Sequence, residues 1–354
     1  MKERLHKLRQ EMKKRSLEAF LVTDPVNRRY LSGFDGSHGI LLIGDAEAFL
    51  CTDFRYLEQA EKQAPHFTIL PWKSKLGDLL KSVVEKAGWS VLAFEEEQVT
   101  YSLYRQLQTA LPAELKPQKG LVEDLRAVKT DDEINRLEKG AAMMDRAFEY
   151  ILGLAEPGMT EQELSLELEY YLRRRGSTET LFKYIVASGT RGSLPHGIAS
   201  EKKMGRGELV TVDFTGTFEG YATDMTRTFA LGEPEKRALE IYEIVRLAQQ
   251  EAREKVGPGL TGREADALAR GVIEDAGYGE RFGHGLGHGL GLEVHERPTL
   301  SPRGEEILAP GMVVTIEPGI YIPGWGGVRI EDMVVITPEG ARSLTRYPRK
   351  LVVT

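Results

Sequence analysis

Apolar and polar positions along this chain follow two periods, and the dominant one changes about a third of the way in. Short apolar runs come first: 19-AFLVT-23, 39-GILLI-43, 47-EAFLCT-52, 67-FTILPW-72 and 90-SVLAFE-95. Their length and their β-branched and aromatic content predict strands. Between them, 75-KLGDLLKSVVEKAG-88 and 101-YSLYRQLQTAL-111 carry helical spacing. The mixture predicts an α/β domain with a mixed sheet over residues 1–125. The pattern then changes within 120-GLVEDLRAVK-129, where we place the boundary to a second domain, 126–354. Thr130 and Glu133 have the spacing of a helix-capping box. Apolar residues follow at Ile134, Leu137, Ala141, Met144, Ala147 and Ile151, which predicts a long amphipathic helix.

The second domain repeats itself. The stretch 157-PGMTEQEL-164 returns as 258-PGLTGREA-265, each with a capping box, Thr160 with Glu163 and Thr261 with Glu264. The stretch 207-GELVTVD-213 returns as 311-GMVVTIE-317. The offsets are 101 and 104 residues, too long for a solenoid. Two similar halves facing each other across a pseudo-twofold axis are expected, each a helix pair followed by strands.

Each half then delivers two carboxylates. Asp213 and Asp224 flank a turn near 218-FEGY-221. A Phe218-Glu219 loop would set them directly opposite, a Glu219-Gly220 loop diagonally; both registers keep them on one face. In the second half Glu317 ends one strand. A second predicted strand, 328-VRIEDMVVI-336, carries Arg329 and Glu331 on one face and Asp332 on the other. Symmetry pairs Glu317 and Glu331 with Asp213 and Asp224. Four such charges cannot stay ionised together without cations. A dinuclear centre of Mn, Co, Zn or Fe divalent ions answers that need.

The stretch 282-FGHGLGHGLGLEVHE-296 bears on the nitrogen ligand. His284 and His288 are four apart, as on a zinc-binding helix, but each alternating glycine costs a helix about 1 kcal/mol. An extended or looping backbone is expected instead, close enough to the carboxylates for one histidine to be a ligand. The second domain holds four of the chain's seven histidines, His196, His284, His288 and His295. His196 lies in 191-RGSLPHGI-198, the matching place in the first half.

Composition narrows the picture. The chain has 354 residues and a net charge of −7, which gives no support for nucleic-acid or anionic-membrane partners. Cys51 is the single cysteine, so no internal disulfide and no thiolate cage is expected, and it reads as a small core residue. The charged segment 1–16 has no apolar centre, and no apolar run approaches the roughly 20 residues of a membrane span. A soluble, cytoplasmic protein is expected. Asp332 is read as a solvent-facing or structural acid, and 172-LRRRG-176 as a solvated helix end.

Taken in order, Asp213, 224-DMTRTF-229, 284-HGLGHGLG-291, 317-EPG-319 and 328-VRIED-332 resemble the signature of the pita-bread metallopeptidases. That family includes methionine aminopeptidase, Xaa-Pro aminopeptidase and Xaa-Pro dipeptidase (prolidase). The segment 30-YLSGFDGSHGILLI-43 resembles their creatinase-like N-terminal domain. The resemblance implies an α/β creatinase-like domain followed by an α+β pita-bread catalytic domain. It implies metal ligands at Asp213, Asp224, His288, Glu317 and Glu331, with Asp224 and Glu331 bridging two divalent ions, manganese first among the candidates. It makes His196 and His295 substrate-side catalytic histidines and Arg329 the arginine beside the last ligand. His284 becomes a non-ligand histidine of the catalytic set, and Glu317 also a proton relay. The expected reaction is hydrolysis of an Xaa-Pro bond, in dipeptides or at peptide N-termini, by a water activated between the ions. A homodimer is expected on the same ground. The alternatives are an aminopeptidase of other specificity, or a non-catalytic peptide-binding relative. Creatinase, on the same fold, does not keep this ligand set. Asp35 and His38 are read as part of a polar turn, the alternative being a reach into a partner subunit's site.

Overall fold

The computed structural model describes residues 1–178 and 184–354. The chain forms two compact units, Met1–Arg126 and Ala127–Thr354. Among the described residues no helix is long and apolar enough to cross a membrane.

The first unit is built on a six-stranded mixed sheet. Its strands are β1 (Ala19–Val22), β2 (Ile40–Gly44), β3 (Ala48–Thr52), β4 (Thr68–Pro71), β5 (Val91–Glu95) and β6 (Glu114–Gln118), in the order β4-β3-β2-β1-β5-β6. β2 runs antiparallel to β1 and β3, and the remaining pairs are parallel. The helices are α1 (Lys2–Lys14), α2 (Pro25–Ser32), α3 (Leu57–Gln63), α4 (Leu76–Ala87), α5 (Tyr101–Ala110) and α6 (Glu123–Ala127). Five strands fall where the apolar runs predict them. The sixth, ELKPQ, is a polar edge strand with a proline, and such edges lack the apolar signal. Helix α1 hides in the charged N-terminus by burying only Leu5, Leu8 and Met12. Cys51 is fully buried, and burial pushes its thiol up to about 12. The Asp35–His38 stretch is a polar turn. Gln59 donates to Asp35, the hydroxyls of Ser37 and Tyr56 meet at 2.6 Å, and His38 Nδ1 lies 3.1 Å from Asp53. The buried Arg28 guanidinium donates to the carbonyls of Gly36 and Gly39 and holds the turn in place.

The second unit opens each half with two helices: α7 (Asp131–Leu152) and α8 (Glu161–Arg174), then α9 (Lys236–Lys255) and α10 (Gly262–Asp275). The capping boxes of α7, α8 and α10 are all formed. Strands β7 (Ile185–Ser188), β8 (Glu208–Phe218) and β9 (Tyr221–Leu231) make the first half's antiparallel sheet. In the second half, β10 (Gly287–Gly289), β11 (Glu296–Leu300), β12 (Val313–Ile316), β15 (Asp332–Thr337) and β16 (Gly340–Ser343) form a sheet ordered β11-β10-β12-β15-β16. β13 (Gly319–Ile322) and β14 (Gly326–Arg329) pair as a separate ribbon.

The duplication is visible in the backbone. Thr160 bridges to Lys203, and Thr261 bridges to Ile307. The amide of Glu161 donates to Lys202 O, and that of Gly262 to Glu306 O. Both pairs repeat the offsets of 101 and 104 residues read in the sequence. Each half packs its own core, around Phe148, Leu164, Val210 and Phe229 in the first and Ile241, Val245, Val314 and Ile336 in the second.

One expectation needs correction, and one pair of alternatives is decided. The predicted strand 328–336 is broken at Ile330-Glu331: β14 pairs with β13, β15 with β12, and the amide of Glu331 donates to Thr226 O of the first half. Of its two readings, Asp332 is the structural acid and not the solvent-facing one. It is fully buried, with Arg227, Gln249, Thr345 and Arg349 donating to its two oxygens. Burial alone would raise its pKa, but the two arginines outweigh burial and hold it below the ordinary value.

Candidate metal centre

The β8–β9 hairpin turns on Glu219 and Gly220, both at positive φ, 48° and 82°. That is a two-residue type I′ geometry, which suits the twist of a hairpin. It selects the diagonal register. Asp213 lies opposite Thr226, and Asp224 opposite Thr215. Both side chains stand on the face that lines a cavity of about 980 Å³.

The second half brings its acids to the same cavity from the edges of its ladders. Glu317 follows β12, and its amide is fixed on Leu286 O. Glu331 sits in the break between β14 and β15. His288 comes from β10, the central part of the glycine run. A Cβ on Gly287 would lie 2.1 Å from Thr315 O, and one on Gly289 equally close to Arg297 O. The run is extended at 287–289 and looping on either side, and its missing side chains let neighbouring backbone close in on both sides of His288.

All five residues line this cavity, and three of them come within reach of one ion. One atom from each of Asp224, His288 and Glu331 lies within 4.8 Å of the others. His288 Nε2 is 3.2 Å from Glu317 Oε1 and 3.8 Å from Asp224 Oδ2. Its Nδ1 donates to Gly289 O at 3.1 Å, which turns Nε2 toward the acids. Asp213 Oδ2 accepts from Arg329 at 2.5 Å. Two threonines support the acids: Thr226 Oγ1 donates to Glu331 at 2.7 Å, and Thr315 Oγ1 to Glu317 at 3.0 Å. Thr315 Oγ1 also accepts the amide of His288.

Electrostatics mark the cluster as strained without cations. Burial pushes Asp224 and Glu331 well above the carboxylate range, and the neighbouring acid adds to it, Asp213 for Asp224 and Asp224 for Glu331. Burial would also raise Glu317, but the hydrogen bond and charge of His288 win and bring it to about 2. Burial would lower His288, but Glu317 and Asp224 win and lift it to about 9. Asp224 Oδ1 and Glu331 Oε1 are buried without a hydrogen-bond partner. Such oxygens are costly to leave unpaired, and a cation supplies the partner. Hard carboxylate oxygens with one imidazole fit borderline divalent ions. The donor set passes that test.

The remaining candidates line the same cavity. His196 and His295 are exposed to it, and the rings of His288 and His295 meet edge to face at 4.4 Å. Burial and the neighbouring His288 hold His295 below the ordinary value. His284 Nδ1 donates to Gly285 O, so Nε2 accepts from the Tyr321 hydroxyl at 2.9 Å. Burial lowers the His284 pKa, consistent with a neutral ring. Tyr321 in turn accepts from Arg329 at 2.7 Å, and Arg329 also holds Pro195 O beside His196. Sequence reading passed over Thr226, Thr315 and Tyr321, although each lies within two residues of a proposed ligand or close by in 319-GIYI-322.

Residues 135–338 match the model of metallopeptidase family M24, and residues 4–128 match the creatinase/prolidase N-terminal domain. The chain is similar to the Xaa-Pro dipeptidase of Pyrococcus furiosus, 38% identical over 99% of this chain and 100% of that one. It is similar to the solved Xaa-Pro dipeptidase from Bacillus anthracis, 46% identical with a TM-score of 0.97, covering 99% of each chain. It is also similar to the solved X-Pro aminopeptidase from Thermotoga maritima MSB8, 38% identical with a TM-score of 0.91, covering 98% of this chain and 100% of that one. The family implies divalent metal ions, and the buried Asp–His–Glu group offers them a place. With a family model covering more than half its length and close relatives along nearly all of it, the chain belongs to metallopeptidase family M24, in the pita-bread fold behind a creatinase-like N-terminal domain.

Proposed function

We propose that the chain is a dinuclear-metal exopeptidase cleaving the Xaa-Pro bond of dipeptides or of peptide N-termini. The observation that carries this is the set of four acids and one imidazole at the cavity wall, with two buried carboxylate oxygens unpaired. Asp213, Asp224, His288, Glu317 and Glu331 would hold the ions in this reading, with Asp224 and Glu331, the two whose buried oxygens lack a partner, at its centre. Manganese is the first candidate, with cobalt, zinc and iron behind it. When bound, such a pair lowers the pKa of water and polarises a carbonyl.

The chain's own groups do the rest. Glu317 is placed to take the proton of the attacking water and pass it to the leaving nitrogen. That nitrogen is a ring tertiary amide without N–H, so it leaves only once protonated. His295 and His196 face the cavity and donate to the carbonyl oxygen as it gains charge, a contribution of about 10²–10³-fold per donor. Tyr321 locks His284 in one orientation as a fixed wall of the site, and Arg329 balances Asp213. The protein acts in the cytoplasm as a homodimer in this reading.

Of this reading's two forms, the aminopeptidase on longer peptides is supported by the similarity to the T. maritima X-Pro aminopeptidase. Both are tested by stripping the protein with EDTA, reloading Mn, Co or Zn separately, and assaying Ala-Pro against Ala-Pro-Xaa-Xaa. We expect no hydrolysis when stripped and recovery on reloading. Activity on the longer peptide assigns the aminopeptidase. Hydrolysis by stripped protein removes the metal-dependent reading, whereas none with any metal removes the exopeptidase and leaves the peptide-binding alternative.

A further inference from the structure

The glycine run poses a mechanical problem. Gly283, Gly285, Gly287, Gly289 and Gly291 give the segment high backbone entropy, and ordering each costs more than for any other residue. Only Gly287–Gly289 lies in a ladder. His284 lies before it, so something else must hold that part of the chain.

Helix α10 does so through one ion pair. Asp266 is 1% exposed, and Arg270, one turn on, donates to both of its oxygens at 2.6 and 2.9 Å. The Arg270 guanidinium also donates to Phe282 O at 2.8 Å and His284 O at 2.7 Å, and Asp266 Oδ1 accepts the amide of Leu286 at 2.9 Å. Three alternate residues, 282, 284 and 286, are thereby pinned to one rigid helix just before His288.

The first half solves the same problem with different residues. Helix α8 begins with Glu161, which is fully buried. One of its oxygens accepts the amide and hydroxyl of Ser188, both at 2.8 Å. The other accepts the amide and hydroxyl of Ser200, at 3.2 and 2.7 Å, and the Arg191 guanidinium. Arg191 then donates to Ile198 O at 2.8 Å. One carboxylate thus closes both ends of the 188–200 loop that carries His196. The repeat offset of 101 maps Glu161 onto Gly262, not Asp266, so the two devices arose at different positions of duplicated helices.

We propose that these are two separable positioning clamps: Asp266–Arg270 sets the metal-side geometry of the run leading to His288, and Glu161–Arg191 sets the substrate-side placement of His196. The proposal rests on the functional reading above. Neither clamp touches substrate or metal in that reading; each acts through the loop it holds. Their separability follows from their targets. The α10 clamp ends two residues before His288, and the α8 clamp holds a loop that contains none of the five proposed ligands.

The test is a crossed comparison on the full chain. Asp266→Asn keeps an acceptor for Leu286 but removes the charge that orients Arg270; Arg270→Lys keeps charge and loses the two-carbonyl reach. Both are expected to weaken the dissociation constant for Mn about 10-fold, read by calorimetry on stripped protein, as removal of outer supports does at metal sites. Glu161→Gln and Arg191→Lys are expected to leave the Mn constant within about twofold and lower kcat/KM for Ala-Pro about 10-fold at saturating Mn, the size of one weakened oxyanion donor. The lysine variants keep the test alive should a carboxamide variant fail to fold. Folded variants of both clamps with wild-type Mn binding and wild-type kcat/KM would overturn the proposal, as would loss of Mn affinity from the Glu161 side. Failure of wild-type protein to bind Mn would instead sink the functional reading, so the two failures are distinct.

Discussion

The two halves of the catalytic unit deliver two acids each to one cavity, and they do so in opposite styles. The first half uses a single regular hairpin, β8 and β9, eleven residues a side with an unbroken register. Asp213 and Asp224 share a face because side chains alternate with period two, and nothing else is needed. The second half breaks its ladders at both acids. Glu317 stands just past β12, and Glu331 stands where β14 hands over to β15. Freed from its own sheet, the amide of Glu331 pairs with Thr226 O of the first half, and the Thr226 hydroxyl holds the Glu331 carboxylate. A duplicated fold has kept the caps of α8 and α10 and its strand starts, and given up regularity where the two copies must meet. The regular half presents its acids; the irregular half is bent to reach them.

The comparison can be broken most severely at the acids. Asp224→Ala in the regular half and Glu331→Ala in the irregular half are each expected to lower hydrolysis by roughly 10³-fold or more, since each removes a proposed ligand that water activation depends on. Steady-state rates with the Mn stoichiometry of each variant check this. Near-wild-type turnover from either would mean the halves do not contribute equivalently.

Next in size is Arg227. It leaves β9 to donate to the carbonyl of Glu331 and to Asp332, and is 1% exposed. Removing one partner of a buried pair leaves the other charge stranded, so Arg227→Met should destabilise by about 3 kcal/mol. The denaturant midpoint reads this out. Arg349 stays on Asp332, so the loss should fall short of complete unfolding.

Smaller and more discriminating is a pair of threonines at the same place in the repeat. Thr315 supports Glu317 and the amide of His288, whereas Thr211 bonds only across the hairpin to Thr228 at 3.0 Å. Thr315→Val should weaken Mn binding about 10-fold. Thr211→Val should leave Mn binding intact and cost about 1 kcal/mol of stability. Equal effects on Mn would erase the distinction between the halves. The smallest change sharpens the regular half: Glu219 sits at φ 48°, where Asn is better tolerated, so Glu219→Asn should stabilise by about 0.5 kcal/mol, visible as a higher thermal midpoint.

Much of this was legible in the sequence, for stated reasons. Caps, strand starts and the repeat are local patterns, and the four acids and one imidazole at the cavity stand inside short motifs. The hairpin's register was left between two choices, because FEGY allows two loops; the positive φ values of Glu219 and Gly220 decide it. The alternation of VRIEDMVVI is interrupted at Glu331-Asp332, beside the break at Ile330-Glu331, but the bond that fixes the break, from the Glu331 amide to Thr226 O, lies in the other half and has no local signal. The sequence leaves Asp332 between a solvent-facing and a structural acid. Its partners Arg227 and Arg349 are 105 and 17 residues away, and no local pattern announces them. Edge strand β6 and helix α1 were missed because polar composition masks a thin apolar stripe.

The close packing around the glycine run has a consequence for anyone trying to alter this site by random substitution. Positions 285, 287 and 289 already have neighbouring backbone where a methyl group would go, while position 283 has no atom within 4 Å of that point. A library spread over positions 283 to 289 would therefore return survivors at its first glycine and few at the other three, which makes that first residue a practical handle for tagging or tuning the cavity wall.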